Sequence, residues 1–314
     1  MPTAVSLFTG CGGSDAGLIE AGFSILLAND ILPYARQTYL ANFPDTEYLL
    51  RDVRTITAFP KADLVVGCYP CQGFSQGGTR QPGRNVNLLY QEFDRALRLI
   101  KPKAFIVENV SGMTRADFSH LLRNQLVRFK LAGYRVAHEI IDARRFGVPQ
   151  ERSRLFFVGI RSDLGAAYCF PRPTHALDAG GAERCCPTIK DAIGDLPLWP
   201  EGGYDKQPFH WYYLSRNRYR GWDERSRTIV ANSRHTPLHP VSPKLVRIST
   251  DKWRFASDGQ ARRLSYQEAA CLQGLPCNMK FPDTYGLRMR YRVVGNAVPP
   301  PVFREVARAL PDIW

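Results

Sequence analysis

Acidic residues are scarce relative to basic ones in this chain of 314 residues. Only 29 Asp and Glu stand against 42 Lys and Arg, which leaves a formal net charge of +13 and a polyanion as the favoured partner. Long apolar runs are missing as well. No stretch approaches the ~18–20 continuous apolar residues that a membrane-spanning helix needs. Residues 1–5 lead straight into a strand-like segment, with neither a basic region nor a signal-type apolar core. A cytoplasmic protein with no membrane attachment is the expectation that follows. Cysteine is too thinly spread for a disulfide framework, since eight in a chain of this length do not resemble the dense pattern of short secreted domains. The thiols are read as reduced. Internal repeats and low-complexity tracts are also absent.

What is present is enough for a sizeable core, with 44% hydrophobic residues. Over the first ~160 residues short apolar runs alternate with helical periodicity, as in a parallel sheet with crossover helices. Residues 4–8, 23–28, 64–66 and 104–107 read as strands. Ser14 is placed to cap a helix ending at Gly22, and Pro33 suits the first turn of the next. Residues 88–100, with Leu89, Phe93, Ala96, Leu97 and Ile100 at core spacing, and residues 118–131 read as helices. Residues 134–141 and 155–160 form two further strands, expected to be antiparallel. The fold class is therefore α/β, a doubly wound, mostly parallel sheet of Rossmann-like type with a second, smaller and irregular domain. Proline and glycine become frequent near Pro171, and helical patterns return at residues 260–272 and 302–310. The expected organisation is a first domain over residues 1–171, an irregular domain over 172–260, and a segment over 261–314 that returns to the first domain.

The most informative tetrapeptide is Tyr69-Pro70-Cys71-Gln72, just past the buried run Leu64-Val65-Val66. Ligands and catalytic groups of open α/β sheets gather at that end of a strand. Three readings of Cys71 stand side by side. A buried structural cysteine is the commonest role for any single cysteine. Cys68-Tyr69-Pro70-Cys71 also has the C-x-x-C spacing of redox or zinc sites, where Cys185-Cys186 and His175 would have to complete the set. A nucleophile is the third, favoured by the loop position, the rigid proline and the neighbouring glycines. Residues 8–13, Phe-Thr-Gly-Cys-Gly-Gly, join a strand to a helix and begin like G-x-G-x-x-G, but Asp15 stands where the third glycine belongs. Asp30 ends the next strand at a distance suited to ribose hydroxyls. Glu108-Asn109-Val110 follows the strand at 104–107, and Gln150-Glu151-Arg152-Ser153-Arg154 brings two guanidinium groups toward the same face. Guanidinium donors form a rigid fork that suits phosphate and carbonyl oxygens.

Between Lys206 and Arg254 eleven Lys or Arg stand against three acidic residues, and seven aromatics lie between Tyr204 and Trp222. At least half of those rings are expected to form the small domain's own core. Arg216, Arg218, Arg220, Arg225, Arg227 and Arg234 are the candidates for nucleic-acid contact, since basic charge supplies phosphate affinity and Arg reads guanine edges.

These segments, in this order, resemble the cytosine-C5 DNA methyltransferases over all but residues 172–257. The glycine loop resembles the family's cofactor loop, and Pro70-Cys71-Gln72 its catalytic loop. Glu108-Asn109-Val110, Gln150-x-Arg152-x-Arg154, Arg263-Leu264-Ser265 with Glu268 and Leu272-Gln273-Gly274, and Gly295-Asn296-Ala297-Val298-Pro299 match the later signatures. Tyr69, Leu275 and Asp30 depart from the commonest residues, and Ile31 stands where an aromatic often stacks on adenine.

The resemblance implies methyl transfer from S-adenosylmethionine to carbon 5 of a flipped-out cytosine. Cys71 would add to carbon 6, Glu108 would hold the N3 and N4 edge, Arg154 would donate to O2, and Arg152 would support the loop or a phosphate. Phe8, Gly10, Gly12, Asp30, Ile31, Asp52, Pro70, Leu88, Asn296, Ala297 and Val298 would bind the cofactor. Gln72 and Ser75 would lie against DNA. No metal is implied. The type resembles the bacterial restriction-modification enzymes: a monomer acting on double-stranded DNA, with a separately encoded cognate endonuclease. A tRNA cytosine methyltransferase and a non-catalytic DNA-binding relative are the alternatives.

Overall fold

Thr3–Leu7 (β1) lies near the centre of a seven-stranded sheet, buried along nearly its whole length. The computed structural model describes residues 1–70, 88–177 and 184–314. Gly13–Glu20 (α1), Ser24–Asp30 (β2), Pro33–Asn42 (α2) and Glu47–Leu50 (β3) carry the chain outward on one side of β1. Leu64–Gly67 (β4) then pairs with the other edge of β1, followed by Tyr90–Ile100 (α3), Ala104–Val110 (β5), Ser119–Leu131 (α4), Tyr134–Asp142 (β6) and Ser153–Arg161 (β7). The order is β3-β2-β1-β4-β5-β7-β6. Pairings among β1 to β5 are parallel, whereas β7 runs antiparallel to both β5 and β6. The doubly wound, mostly parallel sheet is thus the one expected, including its antiparallel pair.

The chain divides into two compact units. The first comprises Met1–Asp142, Ser153–Arg172 and Pro300–Trp314. One face of its sheet packs Phe93, Leu97 and Phe129 from α3 and α4 onto Val65, Phe105 and Phe157. The C-terminal helix Pro300–Arg308 packs on α1, and there Gly17 is needed, since a Cβ would sit 2.6 Å from the Pro300 carbonyl oxygen. Ser14 does not cap α1. Gly12, with φ of 90°, occupies the N-cap, and the Ser14 hydroxyl donates to Asp15 at 2.9 Å.

The second unit comprises Ala143–Arg152 and Pro173–Pro299. Its regular elements are short: His175–Ala176 (β8), Arg184–Cys185 (β9), Ile189–Ile193 (α5), Leu245–Ser249 (β10), Lys252–Phe255 (β11), Tyr266–Leu272 (α6) and Leu287–Asn296 (α7); the helix Pro300–Arg308 (α8) is already in the first unit. The boundaries differ from the expected 172–260, because residues 261–299 cluster with this unit and only Pro300–Trp314 with the first. Polar ties cause the difference. Arg262, in a buried bidentate pair with Glu268 (2.8 and 2.7 Å), accepts from Ser242 Oγ through its carbonyl at 3.0 Å, and Arg263 lies 4.4 Å from the Phe209 ring centroid while donating to the carbonyls of Asp205 and Gln207. Ser265 and Glu268 form a reciprocal capping box at the start of α6, which accounts for that spacing in the sequence.

Candidate active site

In the first unit the chain leaves β1 in one direction and β4 in the other, so a crevice opens at their carboxyl ends. Residues 8–13 follow β1 there, and Cys68, Tyr69 and Pro70 follow β4. Phe8 has φ of 60°, a left-handed conformation that an aromatic residue rarely adopts and that costs about 1–3 kcal/mol. Its ring meets Tyr69 edge-on at 6.0 Å. The two loop glycines differ in purpose. A Cβ at Gly12 would strike the Phe43 ring at 2.6 Å, so packing demands it. At Gly10 the demand comes from its φ of 58°, and no atom lies within 4 Å of where a Cβ would be. That opening lets a ligand approach the backbone closely.

Asp15, in place of the third glycine, is fully buried and accepts hydrogen bonds from Ser6 Oγ (2.6 Å), Thr9 Oγ1 (2.7 Å), Tyr39 OH (2.8 Å) and Ser14 Oγ. Burial pushes its carboxyl upward, and the four hydroxyls oppose that shift. It therefore pins the loop to β1 and α2. Sequence reasoning saw only a missing glycine; the hydroxyls at positions 6, 9 and 14 around an aspartate were the available signal.

Asp30 ends β2 beside this loop. Its Oδ2 accepts from the Gly10 N–H at 3.0 Å, and Oδ1 accepts from Ile31 and Leu32 at 2.7 and 3.0 Å. Burial raises its carboxyl while these donors lower it. Ile31 is 57% exposed, an aliphatic surface next to that carboxylate. Asp52 caps the turn Val53–Thr55 and is held below the usual carboxylate range by Arg54, whose guanidinium lies 2.6 Å away. Leu88 is exposed and Pro70 half-buried. Asn296, Ala297 and Val298 lie at the end of α7 in the second unit.

Cys71, Gln72 and Ser75 fall within residues 71–87, outside the described residues. The residues leading to them are firmly held. A Cβ at Gly67 would sit 2.5 Å from the Phe93 ring, and the buried Tyr69 donates to Gln125 Oε1 at 2.5 Å. Tyrosine thus replaces the commoner residue because its hydroxyl has a buried partner on α4. Cys68 is not activated: burial pushes its thiol well above the ordinary value, and Glu108 adds to that. Among the described residues no group of three or more His, Cys, Asp or Glu is arranged to hold a metal ion.

Glu108, on β5 next to β4, pairs with Arg154 on β7, whose Nε lies 2.9 Å from Oε1. Their side chains are only 11% and 17% exposed. Antiparallel pairing sets Val110 opposite Arg154, so the first residues of β7 reach the edge where β5 ends. Arg154 Nη1 donates to the Ser153 carbonyl at 2.8 Å, which leaves Nη2 without an acceptor among the described residues. Burial lowers the affinity of this guanidinium for its proton and Glu108 restores part of it. The adjacent Asn109 is buried too, and its Nδ2 has no acceptor among the described residues.

Arg152, two residues away in sequence, belongs to the second unit and is buried. It donates to the carbonyls of Ile229 (3.2 Å), Gly295 (3.3 Å) and Ala297 (3.0 Å), which braces these segments against one another. Gln150 joins the same frame, donating to Gln273 Oε1 at 2.6 Å and accepting from the Ile229 N–H at 2.8 Å. Gly295 completes it, because a Cβ there would lie 2.4 Å from the Ala231 nitrogen.

The six arginines expected at nucleic acid separate into two groups. Arg218 donates to the carbonyls of Tyr213 and His235, Arg220 pairs with Glu151 at 3.1 Å, Arg225 donates to the Cys186 carbonyl, and Arg227 pairs with Glu151 at 2.7 Å. Arg216 and Arg234 are exposed, with no side-chain acceptor among the described residues. The aromatics also divide. Phe209, Tyr213 and Tyr219 pack into a small core, whereas Trp211 is 81% exposed.

A family model described as C-5 cytosine-specific DNA methylase matches residues 3–312. The chain is 36% identical to the Type II methyltransferase M.BsuRI of Bacillus subtilis, over 96% of this chain and 78% of that protein. It is 34% identical to the Type II methyltransferase M.NgoPII of Neisseria gonorrhoeae, over 98% and 94%. Among solved structures, a prophage-encoded DNA modification methyltransferase of E. coli superposes with a TM-score of 0.73 at 20% identity, covering 98% of each chain. Spodoptera frugiperda DNMT2 superposes with a TM-score of 0.69 at 17% identity, over 97% of this chain and 98% of that one. These two likenesses are of fold.

Proposed function

This chain belongs to the C-5 cytosine-specific DNA methylase family, and from that premise we propose that it methylates carbon 5 of a cytosine flipped out of duplex DNA, through a covalent adduct of Cys71 at carbon 6. The observation that carries this reading is the nearly buried Glu108–Arg154 pair at the carboxyl edge of the sheet. A base seated there meets an acceptor and a donor fixed in mutual register.

The target carbon is a poor nucleophile, and thiolate addition at carbon 6 turns the ring into an enamine, splitting one hard step into easier ones. Glu108 holds the N3 and N4 edge and favours a proton on N3 as the sulfur adds. Arg154 directs its remaining Nη2 donors at O2, where negative charge develops. Arg152 acts one step removed, by holding residues 295–297 in place. Because the carbon is shielded in the duplex, the base leaves the stack before reaction.

The family implies a methyl donor, and the loop fits S-adenosylmethionine: Gly10 is open in front, Phe8 holds a strained conformation, and Ile31 presents an exposed aliphatic face. When bound it supplies an electrophilic methyl group. Asp30 would take the ribose hydroxyls through Oδ2, which keeps a lone pair beyond the Gly10 N–H, whereas Oδ1 is occupied by the Ile31 and Leu32 N–H groups. Phe8 and Ile31 pack on the adenine, Asp52 reaches its amine, and Gly12, Pro70 and Leu88 shape the surroundings. The shares of Asn296, Ala297 and Val298, and those of Gln72 and Ser75 on DNA, rest on matching position. The named relatives are Type II methyltransferases, which supports membership of a restriction-modification system; a separate endonuclease and a monomeric enzyme complete the proposal. Among the described residues no helix is long and apolar enough to cross a membrane.

Labelled methyl groups should pass from S-adenosylmethionine into duplex DNA and not into tRNA. Incorporation into tRNA alone would overturn the choice of substrate.

A further inference from the structure

One group of side chains in the second unit serves neither its core nor the chemistry described above. His210, Tyr212 and His235 form a triangle of rings. Tyr212 lies 5.0 Å from His235, the two imidazoles are 5.9 Å apart, and His210 stacks on Tyr212 at 6.3 Å with 18° between planes. Trp211 meets Tyr212 edge-on at 5.7 Å and is 81% exposed, so it gains little by folding. The compact rings Phe209, Tyr213 and Tyr219 pack elsewhere, with Leu238 and Leu245.

The electrostatics of the triangle are one-sided. The charged groups acting most strongly on His235 are Arg218, His210, Arg234 and Arg263, all basic, and the Tyr212 ring lies against it. Arg218 donates to the His235 carbonyl at 3.2 Å, and Arg216 and Tyr212 in turn face Arg218. Asp205, the carboxylate tied to the turn Ser233–His235, is buried and already accepts from Ser233 Oγ at 2.7 Å and the Gln207 N–H at 2.9 Å. The exposed guanidiniums of Arg216 and Arg234 therefore lack a counter-charge among the described residues. An anion is what the arrangement is missing.

Resting on the reading of duplex DNA as substrate, we propose that the ring triangle of His210, Tyr212 and His235, with Arg216 and Arg234, is a phosphate-docking surface that takes up a proton when DNA binds. In the free protein burial and the surrounding cations hold His235 below the ordinary histidine value. A phosphate oxygen supplies the opposite charge and lifts that value in the complex. The sign follows directly. A group whose proton affinity rises on binding favours the complex most at low pH, and that advantage disappears as pH climbs through the value in the complex. One proton linked in this way weakens binding by up to about tenfold per pH unit across that window. The non-ionising Trp211 ring would lie against the sugar edge beside it.

The test is calorimetric titration with a short duplex whose cytosine this enzyme has been shown to methylate, in two buffers of different ionisation enthalpy. Proton uptake near neutral pH is expected, lost in His235→Asn and reduced in His210→Gln. In Arg234→Ala the logarithmic salt dependence of binding should flatten by about one unit, the signature of one phosphate contact. Where His235→Asn does not fold, His210→Gln and the salt slope of Arg234→Ala still decide the matter. Tight binding with no buffer dependence, or uptake unchanged in both histidine variants, would overturn the proposal while leaving duplex DNA as the substrate. Failure to bind or methylate any duplex would instead remove the substrate reading on which it rests.

Discussion

Replacing Cys71 with alanine is expected to lower methyl transfer by on the order of 10⁴-fold or more, because no other group can take over covalent attack at carbon 6. Cys68, the only other thiol on that stretch, is kept protonated by burial and by the neighbouring Glu108, so it cannot substitute. DNA affinity should stay within a few-fold of the parent, since the thiol contributes bonding and not phosphate contact. Single-turnover transfer and a gel-shift titration check the two halves. Substantial transfer in Cys71→Ala would remove the nucleophile from the scheme.

The second large effect is expected at Glu108. Glu108→Gln keeps an acceptor but removes the charge that favours a proton on N3, at a cost of about 10²–10⁴-fold in the chemical step. It also leaves Arg154 as an uncompensated cation in a site where both side chains are largely buried. Removing one partner of a fully buried pair costs about 3–5 kcal/mol. The remaining exposure of this pair places the loss of stability somewhat below that, at about 1–3 kcal/mol. Chemical denaturation measures the second effect, and single-turnover rates at a temperature where the variant is folded measure the first. An unchanged transfer rate would contradict the role given to Glu108.

Much of the first unit was legible in the sequence because its strands are buried on both faces. Runs such as Leu64-Val65-Val66 and Ala104-Phe105-Ile106-Val107 have no polar interruption, and α3 places Phe93, Ala96, Leu97 and Ile100 at regular core spacing. The edge strand β3 was missed; four half-buried or exposed residues carry no period. The helix α7 was missed because Arg288, Arg290 and Arg292 interrupt its apolar positions. The candidate site residues on strand ends were legible as positions for the same reason as the strands. A glutamate straight after an apolar run has few roles open to it.

Long-range polar ties were not legible. Arg152 reads as a support for the loop or a phosphate, and its carbonyl partners, 77 to 145 residues away, leave no trace in the neighbouring sequence. Arg220 and Arg227 read as free basic charge, yet both are held by Glu151, 69 and 76 residues distant. Counting charges along a segment cannot register a carboxylate supplied from another part of the chain. The same ties draw residues 143–152 into the second unit and explain why its extent differs from a composition-based boundary.

The central claim is that a bond forms between Cys71 sulfur and carbon 6 of the target base. The most direct measurement uses duplex DNA in which a verified target cytosine is replaced by 5-fluorocytosine. Fluorine at carbon 5 cannot leave as a proton does, so the account predicts a denaturation-resistant protein–DNA adduct that forms only with S-adenosylmethionine and maps to Cys71 by peptide mass. Methylation of the normal site with no adduct on the fluorinated one, or an adduct at another residue, would contradict it.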